Sequence, residues 1–506
     1  MPARRIGLPA LAAFLVAAAA GFLGCEDDGP PLPGSLAWAV CAGGPNFDHG
    51  FAVAARPDGS AAVTGCFESI SRFGPGEPNE TVFASNGGQD VFVARLGPDG
   101  RLAWAKRAGG ARKDNGRGVA ALPDGSTVIA GFFEGVATFG RGEANETVLT
   151  CASEQDIFVA RYGPDGSLAW ARRAGGADAS AGQGVAALPD GSALVTGCFK
   201  GVATFGPGEA GETVLEAACL EVGGEAGMGD IFLARYGPDG SLAWAKRAGG
   251  TDWDEGHGVA VLADGSALVT GCFGGAATFG AGEPRETSLT SAGGSDIFIA
   301  RFSPDGRLAW ARRAGGADDD DGIAAAALGG NSVAVVGYFG GVATFGPGGP
   351  DETRLASAGA HDIFVARYGP DGALAWARRA GGASLDWGYG IAAFQDGSVA
   401  VTGFFAGSAA FGPGEPDETV LTASGPDARC NDAFVARYGS DGALAWARRA
   451  GGVEADQGRA VAVLADGSVV VTGDFRGAAT FGPEEPDETI LTSTEGSDVF
   501  VARFRP

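Results

Sequence analysis

The sequence has few histidines, and its positively charged residues are far fewer than its acidic ones. Its 506 residues include three histidines, and 36 lysines and arginines stand against 61 aspartates and glutamates. The net charge of −25 would repel the phosphates of nucleic acid and also an anionic membrane surface. None of the histidines, His49, His257 and His361, has a histidine or cysteine partner at helical or two-residue strand spacing. The composition therefore argues against a nucleic-acid-binding protein and against a histidine-based metalloenzyme.

Catalytic motifs and long helices are also missing. The chain has no Gly-x-Ser-x-Gly elbow and no Cys/His nucleophile pattern. The stretch Gly116–Ala121 resembles a dinucleotide fingerprint, but it precedes a strand and recurs with changes at Gly256–Gly258. Beyond the N-terminus, 90 glycines and alternating β-branched and aromatic residues are typical of short strands joined by tight turns. These patterns predict an all-β protein.

The phrase Leu-Ala-Trp-Ala recurs seven times. Successive copies are 66, 66, 74, 66, 66 and 70 residues apart. One supersecondary unit is therefore repeated, with two short insertions. The tryptophans of the phrase are Trp38, Trp104, Trp170, Trp244, Trp310, Trp376 and Trp446. Each can bury on the order of 200 Å² and is expected to pack one unit against the next.

One unit contains four predicted strands, A to D. They are expected at Gly118–Leu122, Ser126–Phe133, Asp156–Tyr162 and Ser167–Arg173. Strand C includes the continuous apolar run Ile157–Ala160, which is typical of a strand buried on both faces. Because stacked sheets supply such burial, the seven units predict a seven-bladed β-propeller with four-stranded blades.

The chain ends predict how the ring closes. The first unit begins with a strand D, Ser35–Ala42, and the last finishes with a strand C, Asp498–Phe504. Neither end forms a whole blade alone. Pairing the N-terminal strand D with the C-terminal strand C completes the last blade and leaves no open sheet edge. The propeller is expected to span residues 35–506 and to be monomeric.

The repeated phrases also resemble a known family. Gly-Val-Ala-Ala-Leu-Pro-Asp-Gly-Ser and Asp-Ile-Phe-Val-Ala-Arg-Tyr-Gly-Pro-Asp-Gly-Ser-Leu-Ala-Trp-Ala closely resemble the bacterial seven-bladed β-propeller repeat family. The resemblance covers residues 35–506 and implies a propeller in an exported bacterial protein. Because that family has no single activity, the resemblance implies an architecture rather than a reaction.

Residues 1–24 resemble a bacterial lipoprotein signal peptide. Two arginines precede the apolar run Ile6–Leu23, and a glycine precedes Cys25. The resemblance implies that Cys25 is acylated and that the protein is exported and lipid-anchored to the bacterial cell envelope, facing the periplasm or the surface. Residues 25–34 would form an acidic, proline-rich tether. An uncleaved or ordinarily cleaved signal with an incidental cysteine is the alternative interpretation.

The two faces of the predicted disc differ in sequence. The A–B and C–D turns share one face and consist mainly of repeated Asp-Gly hairpins. The B–C and D–A connections share the other face and contain all the insertions. We call this second face the variable loop face, and it is the expected binding face because variable loops on a rigid scaffold are where binding residues concentrate.

Aspartates recur in two positions of the repeat. One series is interpreted as capping the turn before strand A. Six of the seven copies have an aspartate there, and the remaining copy has a serine, Ser180. The aspartates are Asp48, Asp114, Asp254, Asp320, Asp386 and Asp456. A second series begins strand C, five residues before an arginine, as in Asp90 and Arg95. These residues are interpreted as scaffold pairs between strands.

Irregular positions of the loops supply the candidate site residues. Asp252, Asp254, Asp318 and Asp320 concentrate hard oxygen ligands in neighbouring loops, which suggests a calcium site; a solvated acidic rim is the alternative. Aromatic residues outside the tryptophan series would stack on a sugar or a peptide if exposed, and packing between blades is the alternative. These aromatic residues are Trp253, Trp387, Phe47 and Tyr389.

Two cysteines of one blade form a candidate disulfide. Cys198 lies at the end of strand B and Cys219 in the eight-residue insertion that follows it. An exported protein permits such a bond because its compartment is oxidising.

The sequence favours a non-catalytic binding scaffold for a protein or a glycan, attached to the membrane through its lipid only. One alternative is an envelope-assembly scaffold, because Asp165–Trp170 resembles the repeat of quinoprotein-type propellers, which include outer-membrane lipoproteins. The blade length and the long B–C excursion depart from that pattern. The other alternative is a polysaccharide lyase or hydrolase that uses carboxylates around the central channel, such as Asp254 or Asp320. No cofactor is implied besides calcium.

Overall fold

The described residues are organised almost entirely as β-strands, as the sequence predicted. The computed structural model of the protein describes residues 32–218, 229–425 and 430–506. Within these ranges the one helical element is a three-residue 3₁₀ turn, Gly329–Asn331. None of these described segments forms a helix with the length and apolarity needed to span a bilayer. The predicted signal peptide, Cys25 and Cys219 lie outside the described residues.

The strands are short and are numbered in chain order. The first half of the chain contains β1 (Leu36–Ala42), β2 (His49–Ala55), β3 (Ala61–Phe67), β4 (Ile70–Phe73), β5 (Thr81–Ala84), β6 (Asp90–Leu96), β7 (Leu102–Gly110), β8 (Asp114–Ala121), β9 (Thr127–Phe133), β10 (Val136–Phe139), β11 (Thr147–Thr150), β12 (Asp156–Tyr162), β13 (Leu168–Gly176), β14 (Ser180–Ala187), β15 (Ala193–Phe199), β16 (Val202–Phe205), β17 (Thr213–Glu216), β18 (Asp230–Tyr236) and β19 (Leu242–Gly250). The second half contains β20 (Asp254–Val261), β21 (Ala267–Phe273), β22 (Ala276–Phe279), β23 (Thr287–Thr290), β24 (Asp296–Phe302), β25 (Leu308–Ala314), β26 (Asp321–Ala327), β27 (Val333–Phe345), β28 (Thr353–Tyr368), β29 (Leu374–Gly382), β30 (Asp386–Ala393), β31 (Val399–Ala406), β32 (Ser408–Phe411), β33 (Thr419–Thr422), β34 (Asn431–Tyr438), β35 (Leu444–Gly452), β36 (Gln457–Val463), β37 (Val469–Phe481) and β38 (Thr489–Phe504).

Antiparallel pairing joins these strands in sets of four. We number the sets 1 to 7 in chain order of their first strand, and we label the strands of each set A to D. The sets are β2-β3-β6-β7, β8-β9-β12-β13, β14-β15-β18-β19, β20-β21-β24-β25, β26-β27-β28-β29, β30-β31-β34-β35 and β36-β37-β38-β1. Strand D of set 7 is therefore the first strand of the chain.

The B–C excursions form additional hairpins that the sequence did not predict. In the unit that contains set 2, β10 and β11 pair with each other, and β10 also pairs with β7, the strand D of set 1. The same arrangement joins β16 to β13, β22 to β19 and β32 to β29. Neighbouring sets are therefore linked by backbone hydrogen bonds as well as by side-chain packing.

The recurring tryptophans pack on the C–D turn of the next set. Trp170 is 8% exposed, and its indole Nε1 donates a hydrogen bond to the Pro238 carbonyl at 3.0 Å. The ring lies against Gly240, where an added Cβ would be 2.7 Å from the indole. Gly240 has a φ of +83°, which a turn glycine adopts without strain. The Asp-Gly turn and the tryptophan therefore form one contact between sets.

The aspartates and arginines of strand C belong to separate ion pairs. Asp156 begins the strand and pairs with Arg173 of strand D at 3.4 Å. Arg161, five residues later, pairs with Asp124 of the A–B turn at 2.6 Å and donates to the Pro238 carbonyl of the next set at 2.9 Å. Five residues of strand span about 17 Å, so the aspartate and the arginine cannot meet each other. Both residues have a scaffold role, but with these partners.

Candidate functional site

Each strand A contains a β-bulge at the same place, and the extra residue faces a shared cavity. The pairing register shifts between the two small residues that flank this position, for example between Gly256 and Gly258. The extra residues of sets 1 to 7 are Phe51, Arg117, Gln183, His257, Ile323, Tyr389 and Arg459. All of them line one cavity surrounded by the strands A of sets 1 to 7, which we call the axial cavity.

Small residues on both sides of the bulge allow the strands A to approach one another. A Cβ on Gly258 would lie 2.9 Å from Cα of Ala324 in the next set. The flanking residues are glycine or alanine in every unit, whereas the bulge residue between them changes in charge, size and aromaticity. The stretches that resemble a dinucleotide fingerprint are these bulges, and they place chemically distinct side chains along one cavity.

The basic bulge residues are held by aromatic and acidic neighbours. The Arg117 guanidinium lies 4.3 Å from the Phe51 ring centroid, and the Arg459 guanidinium lies 4.8 Å from that of Tyr389. Arg459 Nε is also 2.9 Å from Asp474 Oδ1. Burial alone would raise the pKa of Asp474, but the charges and hydrogen bonds of Arg459 and His49 together outweigh it and hold the pKa below its usual value. On this side of the axial cavity, the side chains of Arg117 and Arg459 are therefore engaged in contacts within the protein.

A second pocket opens beside the axial cavity, and the charged residues that line it are mainly acidic. Its walls come from D–A and B–C connections of sets 4 and 5, so it lies on the variable loop face. Its polar and aromatic side chains, which we together call the acidic pocket, are Asp252, Trp253, Glu255, His257, Cys272, Asp319, Asp321 and Tyr338. Carboxylates beside aromatic faces favour a cationic ligand.

Buried and half-buried polar groups form the wall of the acidic pocket. His257 Nε2 lies 3.0 Å from Asp321 Oδ2. Burial lowers the pKa of His257, but the carboxylates of Asp321 and Glu255 together raise it by more, to about 9. Burial raises the pKa of the Cys272 thiol, and the nearby carboxylates of Asp321 and Glu255 add to that effect. Glu255 Oε1 in turn accepts a hydrogen bond from Gln183 Nε2 at 2.7 Å.

The aromatic residues predicted from the sequence lie in different environments. Trp253 and Phe47 are 41% and 42% exposed, and Trp253 lines the acidic pocket whereas Phe47 does not. Trp387 stacks on Tyr338 with ring centroids 4.4 Å apart and an interplanar angle of 12°. Trp387 also contacts Tyr389 at 5.9 Å. Trp387 therefore packs between sets 5 and 6. It contacts the acidic pocket through Tyr338, whose ring lines that pocket.

The aspartates predicted to bind calcium are divided between two roles. Asp254 and Asp320 are fully buried, and their Oδ2 atoms accept hydrogen bonds from the backbone N–H of Gly250 and Gly316, both at 2.6 Å. Each carboxylate therefore caps the turn before its strand A, as the repeated series suggested. Asp252 lines the acidic pocket. These residues do not form a converging ligand group in the described part of the chain, and calcium binding stays a prediction.

Cys198 lies on strand B of set 3, with its Sγ 3.6 Å from Glu255 Oε1. Because Cys219 is outside the described residues, the disulfide between them stays a prediction.

The capping aspartates predict an unusual dependence of stability on pH. Burial raises the pKa of Asp48, Asp114, Asp254 and Asp456 to about 8 each. The folded protein therefore retains protons that the unfolded chain releases above about pH 4, so the free energy of unfolding falls as the pH rises from about 4 to about 8. We expect a higher melting temperature at pH 5 than at pH 8, measured by calorimetry at constant ionic strength.

Asp254→Asn serves as the control for this prediction. It keeps the oxygen that accepts from Gly250 but removes one titrating carboxyl, so the difference in melting temperature between the two pH values should shrink. A melting temperature that is higher at pH 8 in the unmodified protein would contradict the prediction.

No protein-family model matches the chain. An uncharacterised WD repeat-containing protein of Acanthamoeba polyphaga mimivirus is 25% identical over 130 residues, which is 24% of this chain and 9% of that protein. Among solved structures, Sqt1 from Chaetomium thermophilum aligns over 94% of this chain and all of its own at 8% identity and a TM-score of 0.39. A gluconolactonase, XC5397 from Xanthomonas campestris, aligns over 76% of this chain and 91% of its own at 13% identity and a TM-score of 0.29. The assignment of the fold rests on the strand pairing, which is that of an all-β protein built from repeated antiparallel sheets.

Proposed function

We propose that the protein is a non-catalytic binding scaffold in which the seven sets of strands are the blades of a closed β-propeller. Three observations support the ring. The first strand pairs with the last, β1 with β38. Strands A of neighbouring sets lie side by side, including those of sets 7 and 1. All strands A of these sets line the axial cavity. Such a ring holds its connections in fixed positions, which lowers the entropic cost of binding a partner.

The acidic pocket is the observation on which the binding role depends. It breaks the symmetry of the repeat on the variable loop face, and it presents Glu255 and Asp319 beside an exposed indole, Trp253. Lys200 Nζ already lies 5.7 Å from the Trp253 ring centroid, so this ring accepts a cation. We propose that the pocket binds a basic segment of a partner protein, whose lysine or arginine would meet both carboxylates and aromatic faces.

Two rival functions have weaker support. A polysaccharide lyase or hydrolase that used Asp254 or Asp320 would need carboxylates that reach its substrate, but both side chains are fully buried against backbone. An envelope-assembly scaffold would use the same face and differ in its partner. We also propose export and anchoring through an acylated Cys25, on the resemblance of residues 1–24 to a lipoprotein signal.

Peptide binding tests the proposed role of the acidic pocket. The full-length protein is titrated with two peptides of equal length and equal leucine content, one rich in lysine and arginine and the other in glutamate. We expect only the basic peptide to bind, with a change in tryptophan fluorescence and with an affinity that falls as salt is added. The double variant Glu255→Gln, Asp319→Asn should weaken binding by about tenfold or more, because it removes two charges and keeps both hydrogen-bond acceptors.

The matched control is Asp99→Asn, which removes an exposed carboxylate from a C–D turn on the opposite face. Its affinity for the basic peptide should equal that of the unmodified protein. Equal binding of both peptides, or no effect of the double variant, would overturn the proposal. Salt-insensitive binding of a neutral oligosaccharide would instead favour a glycan ligand.

A further inference from the structure

Three side chains of types that can ligate a metal meet in the wall of the acidic pocket. His257 is the bulge residue of set 4, Cys272 lies on strand B of the same set, and Asp321 begins strand A of set 5. Their ligand atoms all lie within 4.8 Å of one another. Within residues 32–218, 229–425 and 430–506, this is the one group of three or more His, Cys, Asp or Glu side chains that converges so closely.

The carboxylate of this cluster has an unused oxygen. Asp321 is 7% exposed, and its Oδ1 has no hydrogen-bond donor among the described residues. Its Oδ2 is the atom that contacts His257. A buried carboxylate oxygen without a donor is costly, and a bound cation would give this atom a partner.

Equivalent positions in other sets are filled differently. In set 3, the bulge residue Gln183 donates to Glu255, the second residue of strand A of set 4, at 2.7 Å. In set 7, the bulge residue Arg459 pairs with Asp474 of strand B at 2.9 Å. The amide nitrogen of Gln183 and the guanidinium of Arg459 satisfy a carboxylate at these places as donors, and such donor groups do not ligate a metal. Set 4 differs because it combines an imidazole, a thiol and a carboxylate.

We propose that His257, Cys272 and Asp321 bind a zinc ion whose fourth coordination position opens into the acidic pocket. One nitrogen, one sulfur and one oxygen ligand suit four-coordinate zinc, whereas calcium prefers six to eight oxygens. With metal–ligand bonds of about 2.0 Å, the edge of a tetrahedron is about 3.3 Å. The 3.0 Å between His257 Nε2 and Asp321 Oδ2 therefore needs to open only slightly. A zinc ion held by a thiolate and a carboxylate is neutral overall and is compatible with this buried position.

Cobalt(II) is the probe that tests this site, because a sulfur ligand gives it a characteristic charge-transfer absorption. Metal-free full-length protein is titrated with Co²⁺. We expect one tightly bound ion per chain with a sulfur-to-cobalt band, and we expect Zn²⁺ but not Ca²⁺ to abolish that band. Cys272→Ser should eliminate the band, and His257→Gln and Asp321→Asn should each weaken binding by more than about 100-fold, beyond the usual effect of changing an outer-shell partner.

Cys198→Ser is the matched control, because Cys198 also lies on a strand B beside a carboxylate but has no histidine partner among the residues that the structure describes. It should keep the band and the affinity. Absence of the band in the unmodified protein, or its survival in Cys272→Ser, would overturn the proposal. If Cys272→Ser fails to fold, His257→Gln decides, and an unchanged affinity in that variant would equally overturn it. Peptide binding is measured on metal-free protein, so the two proposals fail independently.

Discussion

Removing residues 35–43 is expected to lower the melting temperature of the protein by more than about 10 °C. This deletion eliminates β1, which pairs with β38 from Leu36 opposite Phe504 to Ala42 opposite Val499. Leu36 is completely buried in the core of set 7. The deletion therefore exposes apolar surface, breaks a full ladder of hydrogen bonds and leaves β38 as an open edge that invites aggregation. Thermal unfolding followed by circular dichroism, together with light scattering, measures both effects.

A circular permutant is the control for this deletion. Gly34 N–H donates to the Arg505 carbonyl at 3.1 Å, and Arg505 N–H donates to the Ser35 carbonyl at 2.8 Å. The turn Gly163–Gly166 has the same two bonds. Gly166 N–H donates to the Gly163 carbonyl at 2.9 Å, and Gly163 N–H donates to the Ser167 carbonyl at 2.7 Å. Joining residues 33–43 directly after Pro506, with Pro33→Asp, would thus recreate a four-residue turn in the register of the other sets. The permutant should recover most of the lost stability, and failure to do so would contradict the proposal that pairing of the chain ends closes the ring.

The sequence predicted the strands because their signals repeat. Four strands per unit, the Asp-Gly turns and the tryptophan contact all follow from local patterns that recur in each copy, and repetition separates these patterns from chance. The B–C hairpins were missed although Val136–Phe139 and Thr147–Thr150 have strand-forming sequences. Each of these strands has only four residues, and β10 is stabilised by β7 of the preceding set, so the deciding contact lies outside the unit that contains it.

The candidate site could be predicted only in part, for a related reason. Trp253 and Asp252 were identified because they interrupt the repeat, and both line the acidic pocket. The cluster of His257, Cys272 and Asp321 was missed because its members are 15 and 49 residues apart in the chain and come from two sets. Metal-ligand spacing within one strand or helix cannot detect it. The signal that was present is the single variable residue between two small ones, repeated in every strand A.

Trp170→Ala is expected to lower the free energy of unfolding by about 3–5 kcal/mol. The indole is buried between sets 2 and 3, and the substitution removes its packing, its hydrogen bond to Pro238 and the contact of the Arg172 guanidinium, 5.8 Å from the ring centroid. Chemical denaturation at constant temperature gives the value directly. A loss below about 1 kcal/mol would show that the tryptophans do not stabilise the contacts between sets.

A double-mutant cycle with Gly240 shows whether that loss comes from the contact between Trp170 and the turn. Gly240→Ala alone should cost about 1–2 kcal/mol for a left-handed alanine and a further 1–3 kcal/mol for the clash with the indole. In the Trp170→Ala background the clash is absent, so only the backbone cost should remain. Gly208, with a φ of +78° and no atom within 4 Å of an added Cβ, is the matched control, and Gly208→Ala should cost the same in both backgrounds. Equal costs for Gly240→Ala in both backgrounds would mean that turn and tryptophan stabilise the structure separately, contrary to the packing seen here.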